Sequence, residues 1–337
     1  MTLTDEILSS LHLADKTGAW GTLGTIKPQK NFEPELDVEK LHDVLTNKGN
    51  KQTVIDVITG LNNEQRQEVI RLYKEELQKD LLEDIKKAFS GDLERVIVGL
   101  LKTPAAYDAQ ELKAAMKGLG TDEATLSEIL SSRSNEQLRA IQACYKQEFK
   151  TELEKDITSD TSEPYTSLLL TLLKGKRERE SGIIDYGLIE QDFKTLSDLG
   201  PKKTTNDAQW ITILTERPKG HLRRVFDVYK KSTSVDIEEA IKKNFKGDFQ
   251  KSLLTLVAVI KDAPLYFADK LYNAMKGLGT DDKALIRILI SRSEEDLLSI
   301  RVAYRRKYGK SLYSSIESDT KGDYRSTLLL LCRAEDI

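Results

Sequence analysis

The chain has 337 residues, enough for two or three folded units, and its 52 Lys and Arg face 55 Asp and Glu. The resulting net charge of −3 argues against a nucleic-acid-binding protein and against unaided adhesion to anionic lipid, because both need an excess of basic residues. Two cysteines cannot build a disulfide framework, and no signal-peptide apolar region opens the chain, so we expect an intracellular, cytoplasmic protein. The apolar runs are far shorter than the roughly 18–20 residues of a membrane span, and the Leu-rich, Pro-poor composition predicts an all-α fold.

The first 32 residues are predicted to form an N-terminal tail with an amphipathic helix and a flexible linker. Four apolar residues of this helix fall on one face, namely Leu3, Ile7, Leu8 and Leu11. A helix this short is marginal in water and needs a surface to pack on. That surface is either the protein's own core or the groove of a partner protein, and the sequence leaves both open. Gly and Thr residues over positions 14–30 predict the linker.

Four segments of similar length follow, and each has the pattern of a unit of five helices. We divide them into repeat one (33–104), repeat two (105–177), a linker with repeat three (178–262), and repeat four (263–337). Repeat two is the clearest, with Thr121 predicted as the N-cap of its second helix and Ser134–Gln137 as a capping box before the third. In repeat four, Ser293 is predicted to cap the corresponding third helix.

Repeats two and four share the sequence Met-Lys-Gly-Leu-Gly-Thr, at 116–121 and again at 275–280. An acidic residue follows each copy at one spacing: Asp160 lies 40 residues after Gly120, and Asp319 lies 40 residues after Gly279. A single Gly-x-Gly would more often be a helix–helix turn. Two identical loops, each with an acid at the same offset, favour a shared ligand site instead.

Calcium takes roughly 6–8 oxygen ligands and accepts backbone carbonyls beside carboxylates. Glycine lets a loop turn its carbonyls toward an ion without interference from a Cβ atom. We therefore predict two calcium sites of about five protein oxygens each, which leaves about two positions for phosphate oxygens of a lipid. The predicted ligands are Met116, Gly118, Gly120 and Asp160 in repeat two, and Met275, Gly277, Gly279 and Asp319 in repeat four. Calcium and lipid should then strengthen each other's binding.

The other two repeats lack both parts of this pattern. In repeat one, the loop at 45–49 has one glycine, and the offset of 40 residues from Gly49 falls on Phe89. In repeat three, Thr204 stands in the loop and Asn244 takes the place of the acid. Joint coordination predicts that loop and acid are kept or lost together, so we expect no such site in these repeats. Minor calcium positions at Thr121 with Glu123, or at Glu111, stay open.

These features resemble the annexins: the loop with its distal acid, and four five-helix repeats over residues 33–336. The resemblance implies a slightly curved disc whose calcium sites bind acidic phospholipids reversibly at the cytoplasmic face of membranes. Glu6–Ser9 and Leu11 are similar to the N-terminal helix of one family member. That likeness implies a dimeric EF-hand protein that clasps the helix and pairs two copies, which could organise or bridge membranes.

Three other functions are weaker interpretations. A helical-repeat scaffold that binds proteins without calcium is the main alternative, but it has no need to pair a glycine loop with a distant acid. An enzyme is not expected, because no nucleophile elbow, P-loop or Rossmann fingerprint is present and Cys144 lies among predicted core positions. An EF-hand sensor is excluded by the absence of its calcium loop. Clustered basic residues such as Arg305–Lys307 are interpreted as solvated helix surface, and no nucleic-acid partner is expected.

Overall fold

A computed structural model of the protein describes residues 23–118, 120–198 and 206–334. Over these residues the chain forms helices joined by turns and loops, with no strand, which confirms the all-α prediction. The predicted N-terminal helix with Leu3, Ile7, Leu8 and Leu11 lies outside the described residues, as does Thr204 of repeat three. No helix of the described segments is long and apolar enough to cross a membrane.

Each repeat contains five helices. Repeat one comprises α1 (Pro34–Asn47), α2 (Lys51–Gly60), α3 (Asn63–Leu77), α4 (Leu81–Ala88) and α5 (Gly91–Leu101). Repeat two comprises α6 (Pro104–Ala115), α7 (Glu123–Ser132), α8 (Asn135–Phe149), α9 (Leu153–Asp160) and α10 (Tyr165–Leu173). Repeat three comprises α11 (Tyr186–Ser197), α12 (Asp207–Glu216), α13 (Lys219–Thr233), α14 (Ile237–Asn244) and the first part of α15 (Gly247–Ala274). Repeat four comprises the rest of α15, α16 (Asp282–Arg292), α17 (Leu297–Tyr308), α18 (Leu312–Asp319) and α19 (Gly322–Cys332).

The long helix α15 is two helices joined at a kink. Asp262 has non-helical backbone angles (φ −159°, ψ 93°), and Pro264 follows two residues later. Proline lacks the N–H that an uninterrupted helix needs at that point. With α15 counted as two helices, the predicted pattern of five helices in each of four repeats is confirmed.

The described chain divides into two compact units, each with its own buried residues. One unit holds repeats two and three, where Trp210, Tyr145 and Phe226 are buried among aliphatic side chains. The other combines repeats one and four, and here Tyr73, Phe267 and Tyr304 are among the buried aromatic residues. Large apolar side chains supply the main favourable term in folding each unit.

Helix caps position the loops, and here the sequence predictions were partly wrong. Ser134 forms the predicted capping box with Gln137. Thr121 does not cap α7: the N-cap is Asp122, whose side chain accepts from the backbone N–H of Thr125. Ser293 does not cap α17 either, because Asp296 is the N-cap of that helix.

Part of the predicted linker is anchored on repeat four. Ile26 is buried, and its backbone N–H donates to the carbonyl of Ser293 at 3.0 Å. The hydroxyl of Thr25 donates to the carbonyl of Leu331 at 2.5 Å, and Leu298 N–H donates to the carbonyl of Leu23 at 2.9 Å. The carbonyl of Ser293 therefore accepts a hydrogen bond from the tail segment. For residues 23–26, the prediction of a flexible linker was wrong.

Candidate metal centre

The two glycine loops begin and close in the same way. In repeat two, the loop runs from the end of α6 at Ala115 to the start of α7, and Asp122 N–H donates to the carbonyl of Ala115 at 2.8 Å. In repeat four, Asp281 N–H donates to the carbonyl of Ala274, also at 2.8 Å. One backbone bond thus ties the two ends of each loop together.

At four positions of the two loops, glycine is favoured because of the backbone conformation and not because space is short. Gly118 and Gly277 have φ of 110° and 111°, and Gly120 and Gly279 have φ of 92° and 89°. These angles lie in a region that L-residues with a Cβ rarely adopt. A Cβ atom added at any of the four would meet nothing within 4 Å. The identical sequence therefore gives one backbone shape in both repeats.

The distal acids lie at the last residue of a short helix, Asp160 in α9 and Asp319 in α18. A threonine hydroxyl joins each acid to its loop. Thr121 donates to Asp160 Oδ2 at 2.7 Å, and Thr280 donates to Asp319 Oδ2 at 2.6 Å. Residues 39 positions apart in sequence are in direct contact in both repeats. The structure therefore brings the predicted loop and the predicted acid together.

The loop carbonyls are available to a ligand. In the described parts of the chain, no hydrogen bond ends on a carbonyl of the six predicted loop ligands. The four glycines are exposed, whereas the two methionines and the two aspartates are half-buried. No three His, Cys, Asp or Glu side chains group as a ligand set within the residues described. A cation in either loop would therefore depend mainly on carbonyl oxygens with one carboxylate, a donor set that fits calcium.

A charged cluster borders the site of repeat two. Lys113 donates to Asp156 Oδ2 at 2.8 Å, and the Tyr145 hydroxyl donates to the same oxygen at 2.6 Å. Burial by itself would raise the pKa of Asp156, but these hydrogen bonds hold the pKa of its carboxyl below the ordinary value. Burial and the bond to Asp156 raise the pKa of the Tyr145 phenol. The cluster is thus an ion pair at neutral pH.

Repeat one has no comparable loop. Only residues 48–50 separate α1 from α2, against 116–122 between α6 and α7. The sequence offset matched Phe89 to Asp160, but Asp160 is the last residue of its helix and Phe89 is not. The last residue of α4 is Ala88, and Phe89 is its C-cap. Either residue lacks a carboxylate, as predicted. In repeat three, Asn244 does end α14, and most of the loop lies outside the described residues.

The threonines are the site residues whose role the sequence interpretation missed. Thr121 and Thr280 were available as a signal, since each follows the second glycine and lies 39 residues before the acid. The sequence pattern instead favours capping for Thr121, and it assigns no role to Thr280. A threonine hydroxyl can cap a helix or donate to a distant carboxylate with the same chemistry. Only the folded structure shows which of the two roles Thr121 has.

Comparison with known proteins assigns the family. The model of the annexin family matches residues 36–100, 107–172, 191–256 and 266–331, and the chain belongs to this family. It is 47% identical over 337 residues to annexin A9 of Homo sapiens and 46% identical over 336 residues to annexin A9 of Mus musculus, in each case covering 99% of this chain and 97% of the relative. The family member whose N-terminal helix resembles Glu6–Ser9 and Leu11 is annexin two. The expectation that this chain is most similar to annexin two was wrong, since these relatives are annexin A9.

Solved structures agree with this assignment. Annexin III superposes with a TM-score of 0.91 at 38% identity, covering 95% of this chain and all of that one. Calcium-bound annexin (Sm)1 superposes with a TM-score of 0.83 at 32% identity, covering 93% of this chain and 94% of the other. The family and the fold imply calcium-dependent binding to phospholipids.

Proposed function

We propose that the loops of repeats two and four each hold a calcium ion that links the protein to the phosphate oxygens of acidic phospholipids. The carbonyls of Met116, Gly118 and Gly120 with the Asp160 carboxylate would hold one ion. Met275, Gly277, Gly279 and Asp319 would hold the other. When bound, each ion supplies a local positive charge that the protein, with its net charge of −3, does not provide.

The observation that carries this proposal is the agreement between the two loops. Glycine φ angles match within a few degrees, the closing bonds are both 2.8 Å, and the threonine–aspartate bonds are 2.7 and 2.6 Å. A structural turn alone has no need to hold a distant carboxylate against the loop. One carboxylate per site implies weak binding of calcium alone, since affinity rises with the number of charged ligands. Lipid phosphate would complete the coordination.

Sedimentation with phosphatidylserine vesicles tests the proposal, using wild type and the double variant Asp160→Asn/Asp319→Asn with and without calcium. Wild type should pellet only with calcium, and the double variant should stay in the supernatant. The matched control is Glu154→Gln/Glu317→Gln, which removes two exposed carboxylates from α9 and α18. Equal pelleting of all three proteins would contradict the proposal and favour the calcium-independent scaffold.

Pairing of two copies by an EF-hand protein remains a separate prediction. It rests on Leu3, Ile7, Leu8 and Leu11, which lie outside the described residues. It also rests on the likeness to annexin two, whereas the relatives found are annexin A9. Membrane bridging by such a pair is therefore a question for binding experiments with the full chain. The calcium sites proposed above do not depend on it.

A further inference from the structure

A small cavity opens beside the calcium loop of repeat four. Its volume is about 220 Å³, below the roughly 300–1,000 Å³ of sites for drug-sized ligands, so it suits one small polar group. The side chains that matter here are Tyr272, Lys276, Tyr304, Lys310, Ser315 and Asp319. Met275, Gly277 and Asp319 belong both to this lining and to the proposed calcium site.

The same place in repeat two is filled by the ion pair described above. Lys113 lies over the rings of Tyr145 and Phe149, at 5.7 and 5.6 Å from their centroids, and its ammonium reaches Asp156. Thr151 also donates to Asp156, at 3.3 Å. A partly exposed edge of the repeat thus holds a carboxylate that accepts hydrogen bonds from a lysine, a tyrosine and a threonine.

Repeat four keeps the tyrosine and changes the other three partners. With the offset of 159 residues, Lys113 corresponds to Tyr272, Thr151 to Lys310, and Asp156 to Ser315. The ring of Tyr272 stacks on the ring of Tyr308, with 3.8 Å between their centroids. The hydroxyl of Tyr304 donates to Ser315 at 2.9 Å, where its counterpart in repeat two donates to a carboxylate.

The remaining repeats show that this change is particular to repeat four. Repeat one keeps an acid, Asp84, which accepts from the Tyr73 hydroxyl at 3.0 Å. Repeat three has Ala240 at this position, and it has Val235 where repeat four has Lys310. Only repeat four combines the loss of the carboxylate with a gained lysine.

We propose that this cavity binds a phosphate group, which takes the place that the Asp156 carboxylate occupies in repeat two. Around the cavity there are two lysines, Lys276 and Lys310, against one aspartate, whereas the corresponding set in repeat two has two of each. Lys310 makes no ion pair with any described residue. The Tyr304 hydroxyl donates to Ser315, and the Ser315 hydroxyl donates to the carbonyl of Ser311 at 3.0 Å. Either hydroxyl can rotate to donate to an anion instead.

The ligand class is therefore a phosphomonoester or free phosphate, held by ammonium groups and hydroxyl donors. Because the cavity adjoins the loop of Gly277, a lipid headgroup with a second phosphate could use it while its diester phosphate faces the calcium ion. This lipid form of the inference rests on the proposed function, while the binding of free phosphate does not.

The lipid arm of the test uses two kinds of vesicle with matched surface charge and saturating calcium. One contains phosphatidylserine and the other phosphatidylinositol 4-phosphate, each in phosphatidylcholine. We expect wild type to bind the phosphomonoester vesicles about tenfold more tightly, the size of one charge-assisted hydrogen bond at the low end of its range. Lys310→Ala and Ser315→Asp should abolish this preference and keep calcium-dependent binding to phosphatidylserine. Lys155→Ala, which removes an exposed lysine of α9, is the charge-matched control.

The variants are chosen to fold. Lys310 is exposed, and Ser315→Asp recreates the tyrosine–aspartate contact that repeats one and two already contain. The second arm measures ³¹P line broadening of inorganic phosphate with calcium removed by chelation. Broadening by wild type and not by Lys310→Ala identifies a site that takes free phosphate, whereas a preference seen only on vesicles identifies a headgroup site.

Wild type that binds phosphatidylserine with calcium but shows neither the headgroup preference nor the broadening would overturn this inference alone. Retention of the preference in both Lys310→Ala and Ser315→Asp would overturn it too. Failure of wild type to bind any vesicle with calcium would instead reject the proposed function, and the phosphate arm would still report on the cavity.

Discussion

The hydroxyl of Thr280 lies 2.6 Å from Oδ2 of Asp319 and donates a hydrogen bond to it, which joins the end of the glycine loop to the end of α18. Thr121 and Asp160 make the same contact in repeat two. In the absence of an ion, a carboxylate beside several carbonyl oxygens has no attractive partner among them. The threonine hydroxyl supplies one, so the acid stays facing the loop.

We predict that Thr121→Val/Thr280→Val weakens calcium-dependent membrane binding. The acceptor is a charged carboxylate, and a hydrogen bond to a charged group contributes about 1.5–3 kcal/mol, which corresponds to a rise of roughly ten- to hundredfold in the calcium concentration at half-maximal binding. Thr121→Ser/Thr280→Ser keeps the hydroxyl and should stay near wild type. A calcium titration with phosphatidylserine vesicles measures all three proteins. A lower midpoint in the valine variant would mean that the hydroxyl competes with the ion.

The glycines give a second prediction, which separates the calcium site from the stability of the fold. Gly277→Ala/Gly279→Ala places side chains on residues with φ of 111° and 89°. Each left-handed L-residue costs roughly 1–2 kcal/mol. The loop can lower that cost by changing its shape, because nothing lies within 4 Å of the added Cβ atoms. Calorimetric titration with calcium and lipid should then report one site where wild type has two, with little change in thermal midpoint.

The control for this loop variant is Gly60→Ala. Gly60 ends α2, has open space around its Cβ position and is not among the residues with positive φ. Alanine is favoured over glycine in a helix by roughly 0.5–1 kcal/mol, so this variant should be neutral or slightly more stable and should bind calcium as wild type does. Unchanged stoichiometry in Gly277→Ala/Gly279→Ala would show that these carbonyls are not ligands.

The sequence predicted the helices and the pairing of loop with acid well, because both depend on local patterns repeated at a fixed offset. It failed where one side chain has two possible partners. The sequence predicts Ser293 as a helix cap, but its backbone carbonyl accepts a hydrogen bond from the N–H of the tail residue Ile26. These two residues are 267 positions apart, and a contact over that distance leaves no periodic pattern in the sequence. The cavity of repeat four was also missed, because Ser315 indicates a binding site only when Lys310 and Tyr304 are known to line the same cavity.

A buried ion pair in repeat two predicts a large loss of stability on substitution. Arg133 donates to both carboxylate oxygens of Asp108, at 2.6 and 2.9 Å, and both side chains are buried. Removing one partner of such a pair costs about 3–5 kcal/mol, because the other charge stays buried without compensation. Urea unfolding of Asp108→Asn should show this loss. Asp92→Asn, which breaks an exposed pair with Arg95, should change stability by no more than about 1 kcal/mol.

Acid stability should depend on Asp192 in repeat three. Burial alone would raise the pKa of this carboxyl, but hydrogen bonds from His221 and Arg217 hold its pKa below the ordinary value. A depressed native pKa means that the unfolded chain takes up protons first as the pH falls. The contribution of Asp192 to stability is therefore complete above its unfolded pKa of about 3.9 and is lost as the pH falls through the lower native value.

The measurement is the thermal midpoint of wild type and Asp192→Asn between neutral pH and strongly acidic pH. The variant should be less stable at neutral pH, and the difference should shrink below the unfolded pKa of aspartate. Asp84 and Asp156 also have lowered pKa values, but they are present in both proteins and cancel in the difference. A constant difference across the whole range would show that Asp192 acts through packing and not through its charge.

The anchored tail gives the last prediction. A Cβ atom on Gly24 would lie 2.4 Å from the carbonyl oxygen of Ser293 and 2.5 Å from backbone atoms of Glu294. These are backbone atoms of repeat four and cannot move aside as a flexible side chain would. Gly24→Ala should therefore displace residues 23–26, break the hydrogen bonds of Thr25 and Ile26, and expose the buried Ile26 side chain.

Limited proteolysis and amide hydrogen exchange can detect this displacement. In Gly24→Ala, cleavage near residue 26 should become faster, and the amide of Ile26 should lose protection together with that of Leu298, which donates to the carbonyl of Leu23. Leu23→Ala is the control, since that side chain is 50% exposed and its backbone carbonyl remains. Protection that survives in Gly24→Ala would mean that the chain can pass Ser293 by another route, and the tail would then be held by Thr25 and Ile26 without the close approach at Gly24.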